Sequence, residues 1–529
     1  MKRTFAVIAA TLCLFTSIAA AAPRKPKLIL AVVIDQFRYD YLARFRADYT
    51  GGLARLLDHG AVYTDAHYIH YPTVTAIGHS TFLTGAIPSV SGIAGNEWFD
   101  QETGTKVSSV SDPLAKPLGA PGKDGSSPHR LLVSTVGDEL KMANARIKVI
   151  GISIKDRSAI LPAGHMADGA YWFDESTGHF VSSTYYFADL PAWVKEVNAA
   201  RPSDRFLGME WQAIDAKPGT KPFLKMSATP DGKYYKSLES TPFGNELVEA
   251  LAERCIAAEQ LGRHPGTDLL TLSFSSNDYV GHTYGPDSPQ VRDIAIRTDR
   301  LLGKLLAFID GQVGADQYTV VLTADHGVSP APEANRTRKM PGGSLDRAAL
   351  EKTVEAAVSQ KYGAAKWVLG SASFEVFLNH RLIHEKKLDQ AEVENVAAEA
   401  LRGVPHISRV YTSAQLRAGS VQRDPVSQAV SYGFYAGRSG DLLLIPENYW
   451  FLAEGDPYIT THGTPFQYDN HVPLILMGPG IAAGKYRRQV AINDIAPTLA
   501  SVLEIETPGG SMGQVLEEVW IDAPVRPTR

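Results

Sequence analysis

The apolar positions of this chain fall into two alternating patterns. Residues 27–34, 148–154, 268–274 and 318–322 are short, near-continuous apolar runs rich in Val, Ile and Leu, which predict strands buried on both faces. Residues 51–58, 131–142 and 243–261 have helical character, and 288–311 carries an apolar stripe at Val291, Ile294, Thr298, Leu301, Leu302, Leu305 and Ile309. Strand followed by helix, repeated, predicts an α/β fold with a central, mostly parallel sheet and helices on both faces. Further apolar runs at 61–68, 441–445 and 472–477 read as strands, and 492–503 reads as a closing helix.

Two stretches interrupt this pattern. Residues 161–242 hold aromatics, prolines and glycines without a sustained period. Residues from about 340 to 440 interpose a helix from 347, short strands at 374–378 and 407–411, and a helix at 388–401, a βαβ-like insertion. Both predict cap segments inserted into a single catalytic domain spanning 23–529. The Gly, Ser, Pro and Asp content of 95–128 predicts loop.

The first residues change the picture of where the protein works. Lys2 and Arg3 precede an apolar run at 5–18 and a small-residue segment ending at Ala22, the three parts of a secretory signal peptide over 1–22. The apolar part is too short to span a bilayer, so the sequence predicts cleavage and a periplasmic or secreted product, with no later membrane segment. Cys13 falls in the leader and leaves Cys255 without a partner, which excludes an intramolecular disulfide in the mature chain. Stability must come from the core and from metals.

Charge excludes some partners. The chain has 52 basic and 57 acidic residues, a formal net charge of −5; removing the two leader cations leaves 50 against 57, or −7. A mildly acidic protein with no basic run is a poor binder of nucleic acid or anionic membranes by bulk charge. An anionic substrate must therefore be attracted locally. The chain is expected to be a monomer.

The polar residues that close the apolar runs supply that local charge. Asp35 closes 27–34, Lys155-Asp156-Arg157 follow 148–154, Asp278 and His282 follow 268–274, and Asp325-His326-Gly327 follow 318–322. His462 lies in the loop between 441–445 and 472–477. In open α/β sheets the carboxyl edge is where ligands bind. Alternation along extended backbone predicts that Lys155 and Arg157 share one face. Three carboxylates with three imidazoles give mixed N/O ligation, which favours zinc over magnesium or calcium.

Residues 71–85, Tyr-Pro-Thr-Val-Thr-Ala-Ile-Gly-His-Ser-Thr-Phe-Leu-Thr-Gly, crowd hydroxyls where loop is predicted to become helix, and the stretch runs on to Asn96. Unpaired N–H groups at such a junction favour an anion. Spacing alone does not choose among Thr73, Thr75, Ser80, Thr81 and Thr84.

Taken together, these residues resemble the alkaline phosphatase superfamily, in particular its threonine-nucleophile bacterial phosphatases of the PhoK and PafA type, with nucleotide pyrophosphatase/phosphodiesterases as nearer cousins than the serine enzymes. The resemblance spans most of the mature chain. It implies an alkaline-phosphatase-like fold and a phosphate monoester hydrolase working on small-molecule phosphate monoesters through a phosphothreonine at Thr75. It implies two Zn2+, with other divalent metals possible: one held by Asp35, Thr75, Asp325 and His326, the other by Asp278, His282 and His462. It assigns Asn96, Lys155 and Arg157 to the non-bridging phosphoryl oxygens. His79 and His471 match non-ligand positions and are expected to be structural, as are His67 and His70.

Competing readings are separable. A phosphodiesterase or nucleotide pyrophosphatase shares the threonine and the metals but typically lacks the Lys-x-Arg pair, which favours a monoester dianion over a diester monoanion. An arylsulfatase needs a Cys or Ser in a C/S-x-P-x-R context, which neither cysteine provides, and Gly78-His-Ser-Thr-Phe82 lacks the closing Gly of a serine nucleophile elbow. A non-catalytic phosphate- or metal-binding protein is the remaining class, and turnover on p-nitrophenyl phosphate separates it.

Overall fold

The computed structural model describes residues 25–120, 125–453, 455 and 457–520. The leader expected at 1–22 lies outside them. Among the described residues ten strands form one sheet: β1 (Leu28–Ile34), β2 (Ala61–Tyr63), β3 (Pro117–Leu118), β4 (Val149–Ser153), β5 (Gly169–Asp174), β6 (His179–Ser183), β7 (Asp268–Phe274), β8 (Tyr318–Thr323), β9 (Leu474–Met477) and β10 (Gly484–Tyr486). Their lateral order is β10-β2-β9-β8-β1-β7-β4-β5-β6-β3.

The five central strands, β8-β1-β7-β4-β5, are mutually parallel, while β9 and β6 run antiparallel beside them. Every residue of β1 and β7 is buried, so both sheet faces are covered, as their unbroken apolar sequences require. Helices provide that cover. Among them, α1 (Thr75–Thr84) packs against α2 (Asp156–Ala163), and α2 lies on β4 and β7; Pro242–Ala258 and Pro289–Gln312 pack on each other.

Register sets where the chemistry emerges. Val33 lies beside Ser273 on one side and Thr323 on the other, and Ser273 lies beside Ser153. Four central strands therefore finish level, and the residues after them share one edge.

Residues 343–452 build a second core. Strands Val368–Ala372, Glu375–Leu378, Leu442–Pro446 and Ile407–Thr412 form an antiparallel sheet in that lateral order. Leu350, Val354 and Val358, one apolar stripe of helix Arg347–Tyr362, pack into its apolar cluster with Trp367, Val376, Val393 and Leu401.

Four sequence expectations are corrected by the structure. The insertion is antiparallel, not βαβ-like, and residues 442–446 belong to its sheet instead of returning the chain to the main one. A short, wholly apolar strand carries no mark of which sheet it joins. Residues 169–183, inside the aperiodic stretch 161–242, are β5 and β6 of the main sheet. The predicted strand at 61–68 is divided into β2 and a two-residue strand at Ala66–His67.

Candidate active site

The level strand ends bring Asp35, Asp278, Asp325 and Lys155 together, all nearly or completely buried. Lys155 Nζ donates to Asp35 Oδ2 at 2.7 Å and to Asp278 Oδ2 at 2.6 Å. Gln36 ties the same carboxylates from behind: its Nε2 donates to Asp278 Oδ1 at 2.6 Å and its backbone N–H to Asp325 Oδ1 at 3.1 Å.

Three histidines face this cluster, each tethered through Nδ1. His282 Nδ1 lies 2.8 Å from the Thr460 carbonyl, His326 Nδ1 2.9 Å from the Gly327 carbonyl, and His462 Nδ1 2.8 Å from the Thr73 carbonyl. A carbonyl only accepts, so each ring carries its proton on Nδ1 and turns Nε2 toward the carboxylates. This is how protein fixes the tautomer of a metal-ligating imidazole. Among the described residues, two overlapping groups bring ligand atoms within 4.8 Å of one another, Asp35 with Asp325 and His326, and Asp278 with His326 and His462. Asp35 Oδ1 and Asp325 Oδ2, both buried, accept no hydrogen bond. Orphaned carboxylate oxygens facing imidazole lone pairs fit a divalent cation.

Electrostatics agree with that fit. Burial, and then the Asp325 carboxylate, push Asp35 well above the usual carboxylate range against the pull of Lys155. Asp278 is held well below it: burial opposes this, but His282 and Lys155 outweigh burial. Burial, then the His326 and His282 rings, keep His462 well below the ordinary imidazole value, so it presents a neutral lone pair.

The rings also separate two sides of the site. His326 and His462 stack with centroids 3.4 Å apart and planes 13° apart. Lone pairs of two nearly parallel rings run side by side and do not converge on one point. His326 therefore groups with Asp35 and Asp325, and His462 with Asp278, whose Oδ1 is 3.8 Å from His462 Nε2 and 3.0 Å from His282 Nε2. The first group is sealed, at 0–1% exposure; the second opens onto a cavity of about 170 Å3.

Thr75 adjoins the first group and lines the cavity that the second opens onto. It is the first residue of α1, entered through Val74 in extended backbone, and its Oγ1 lies 3.4 Å from His326 Nε2. Helix α1 reaches this position because residue 78 is glycine: a Cβ there would lie 2.2 Å from the Asp325 carbonyl oxygen. Asn96 Oδ1 accepts from the Ala76 N–H at 2.8 Å, which occupies one of the helix-start donors expected to await an anion and leaves the Asn96 amide NH2 for the cavity. His79 uses Nδ1 on the Thr75 carbonyl and Nε2 on Ser273 Oγ, a structural role.

Lys155 and Arg157 both line the cavity, but not through strand alternation. Strand β4 ends at Ser153, Lys155 precedes α2, and Arg157 sits in its first turn. Arg157 Nε is buried without a hydrogen-bond partner. Of the predicted site residues, Thr75, Asn96, Lys155, Arg157, Asp278, His282 and His462 reach the cavity, and Asp35, Asp325 and His326 lie behind it. Sequence reasoning passed over Gln36, adjacent to Asp35, and the cavity residues Tyr279, Phe374, Leu452 and Tyr458. Adjacency to a ligand was the available signal for Gln36 and Tyr279; Phe374 and Leu452 had none.

Fold and site together define an α/β architecture of alkaline phosphatase type: the chain superposes on the crystal structure of alkaline phosphatase PafA with a TM-score of 0.87 at 34% identity, covering 94% of this chain and 100% of that one. It matches the type I phosphodiesterase / nucleotide pyrophosphatase family over residues 29–465 and belongs to that family. Similar curated proteins include a chain named calcium-transporting ATPase from Myroides odoratus, 37% identical over 97% of this chain and 98% of its own. Alkaline phosphatase PafA from Elizabethkingia meningoseptica is 36% identical over 94% of this chain and 95% of its own. No helix among the described residues is long and apolar enough to cross a membrane.

Proposed function

We propose that this protein is a metal-dependent phosphate monoester hydrolase, an alkaline phosphatase, that forms a phosphothreonine at Thr75. The observation that carries the reading is the set of three Nδ1-tethered histidines turned on three buried carboxylates, with the Thr75 hydroxyl 3.4 Å from His326 Nε2 at the cavity. The relatives named as alkaline phosphatases support it across nearly the whole chain.

The reading takes two divalent ions, zinc by ligand chemistry, one at Asp35, Asp325, His326 and Thr75 and one at Asp278, His282 and His462. The side-by-side lone pairs of His326 and His462 support two adjacent sites, as two-metal enzymes space their ions roughly 3.5–4 Å apart. When bound, such ions lower the pKa of a neighbouring hydroxyl and offset charge on phosphoryl oxygens. Thr75 releases its hydroxyl proton to solvent and its Oγ attacks phosphorus; the bond from phosphorus to the ester oxygen breaks, and the departing alkoxide takes a proton from water to leave as the alcohol. Water then attacks phosphorus and gives up a proton to solvent, the Thr75 Oγ–P bond breaks, Thr75 Oγ takes a proton back from solvent, and phosphate leaves. Arg157, with its free Nε, Lys155 and the Asn96 amide hold non-bridging oxygens throughout. Substrates are small phosphate monoesters met outside the cytoplasm, after leader cleavage, by a monomeric enzyme.

The family's own description favours a second reading, phosphodiester hydrolysis, and Lys155 with Arg157 decides between them. A charge-assisted contact contributes roughly 1.5–3 kcal/mol, so losing both should lower monoester kcat/KM by about two to four powers of ten. The measurement is kcat/KM for p-nitrophenyl phosphate and bis-p-nitrophenyl phosphate in the wild type and in the Lys155→Ala, Arg157→Ala double variant. The monoester should suffer far more. Equal losses on both substrates would remove the reason for preferring the monoesterase.

A further inference from the structure

The cavity has two walls of different origin. Its floor is built from strand ends and α1, whereas Arg347, Ser373, Phe374 and Leu452 arrive from the second core. Phe374 stands on a two-residue turn, since Ala372 pairs with Glu375 across antiparallel strands. At that turn Ser373 has φ 48°, in the left-handed region that strains a residue with a Cβ. Strain of this kind persists only where surroundings over-determine it, and it gathers at functional sites.

Three contacts fix the turn. Arg347 Nη1 donates to the Ser373 carbonyl at 2.8 Å, and the Leu444 N–H donates to the Phe374 carbonyl at 2.9 Å. The Phe374 ring rests on Gly463, where a Cβ would come within 2.8 Å of Phe374 Cε2 and 3.7 Å of Val74 Cγ1. Gly463 follows His462 and Val74 precedes Thr75. The turn therefore touches the histidine segment, and the nucleophile segment lines the same cavity through Val74.

We propose that the Ser373–Phe374 turn is the leaving-group specificity element of the enzyme. The inference rests on the monoesterase reading and adds to it a substrate class: monoesters of ring-bearing alcohols, aryl or nucleoside, in preference to small aliphatic ones. In-line attack by Thr75 sends the leaving group away from the floor, toward the outer wall. There Phe374 and Leu452 line the cavity, and the Phe374 ring gives an apolar contact that a planar ring meets and a glycerol chain leaves wet.

The test compares kcat/KM for 1-naphthyl phosphate and glycerol 1-phosphate in the wild type, Phe374→Leu and Phe374→Ala. The leucine variant keeps apolar volume in the second core, and thermal unfolding verifies that it is folded. Loss of the ring face should lower naphthyl turnover about five- to tenfold and glycerol turnover by about twofold at most, with inhibition by inorganic phosphate unchanged. Equal losses on both substrates, or no loss on naphthyl phosphate in the folded leucine variant, overturn the proposal. If the wild type hydrolyses neither monoester but cleaves bis-p-nitrophenyl phosphate, the monoesterase reading fails. The same variants, compared on bis-p-nitrophenyl and methyl p-nitrophenyl phosphate, then judge the turn independently by the same ratio.

Discussion

The two regions that meet at the cavity contribute by different means. The main sheet supplies charge: Asp35, Lys155, Asp278 and Asp325 emerge level because four parallel strands are in register, and no single side-chain contact sets their positions. The second core supplies shape. It reaches the cavity through one strained turn and a few apolar side chains, held by contacts that one substitution can remove. Reaction chemistry is thus tied to the most buried register in the molecule, while selection among leaving groups rests on a separately packed unit that can change without disturbing that register.

The largest test of this division is at the floor. Thr75→Ala should lower kcat for p-nitrophenyl phosphate by at least about 10³-fold with the fold intact, while Thr75→Ser keeps much of the rate because an alkoxide remains available. An alanine variant within about tenfold of wild type, or about 1.4 kcal/mol, removes Thr75 as nucleophile. Such a result would also move the chemistry away from the sheet edge.

A smaller effect separates the two halves of the floor. The Asp35, Asp325 and His326 side is sealed, whereas the Asp278, His282 and His462 side opens to the cavity. His282→Gln should therefore leave the sealed ion in place, with about one zinc per chain by elemental analysis and turnover reduced roughly a hundredfold or more. Asp325→Asn removes a sealed ligand and should lower both zinc content and activity further. Equal zinc loss in both variants would show one shared site in place of two.

How much of this was legible in the sequence follows the same line. The main strands announced themselves because burial on both faces demands unbroken apolar, β-branched runs, and a polar residue ending such a run stands at the ligand-binding edge; Asp35 and Asp325 were readable for that reason. The choice of Thr75 was carried by resemblance, since five hydroxyls share the stretch and only the fold brings one of them next to His326. Lys155 was found, but the structure gives it two carboxylate partners 120 and 123 residues away. Its role in neutralising the ligand set could not be read locally. The second core was least legible: β-sheet partners are chosen by long-range pairing, so the apolar run at 441–445 read like the strands of the main sheet although it pairs within the second core. Phe374 gave no signal at all, because its importance lies in its contact with Gly463, made only after both cores have folded.

The smallest expected effect belongs to the second core and leaves the chemistry alone. Glu375 follows Phe374 and is buried in the antiparallel sheet; its Oε2 accepts the Gly440 N–H at 2.7 Å, while its Oε1 has no partner. Burial, and then the neighbouring Asp441 carboxylate, push its carboxyl up to about 8 from the ordinary 4.5, against the Gly440 N–H. The folded chain therefore keeps a proton that the unfolded chain has released, and stability falls as pH rises from about 4.5 to about 8 and is flat above that. At 1.36 kcal/mol per pKa unit, reduced by relaxation of the site, the loss is roughly 3 kcal/mol. Glu375→Gln keeps an oxygen for Gly440 and removes the titration. Denaturant unfolding at pH 5 and pH 9 should show the variant gaining on the wild type by roughly that amount at the higher pH only, with kcat for glycerol 1-phosphate within about twofold. An equal stability difference at both values would mean that Glu375 does not titrate in this window. A large loss of turnover in the folded variant would mean that the second core reaches into the chemistry, and the division between charge and shape would not hold.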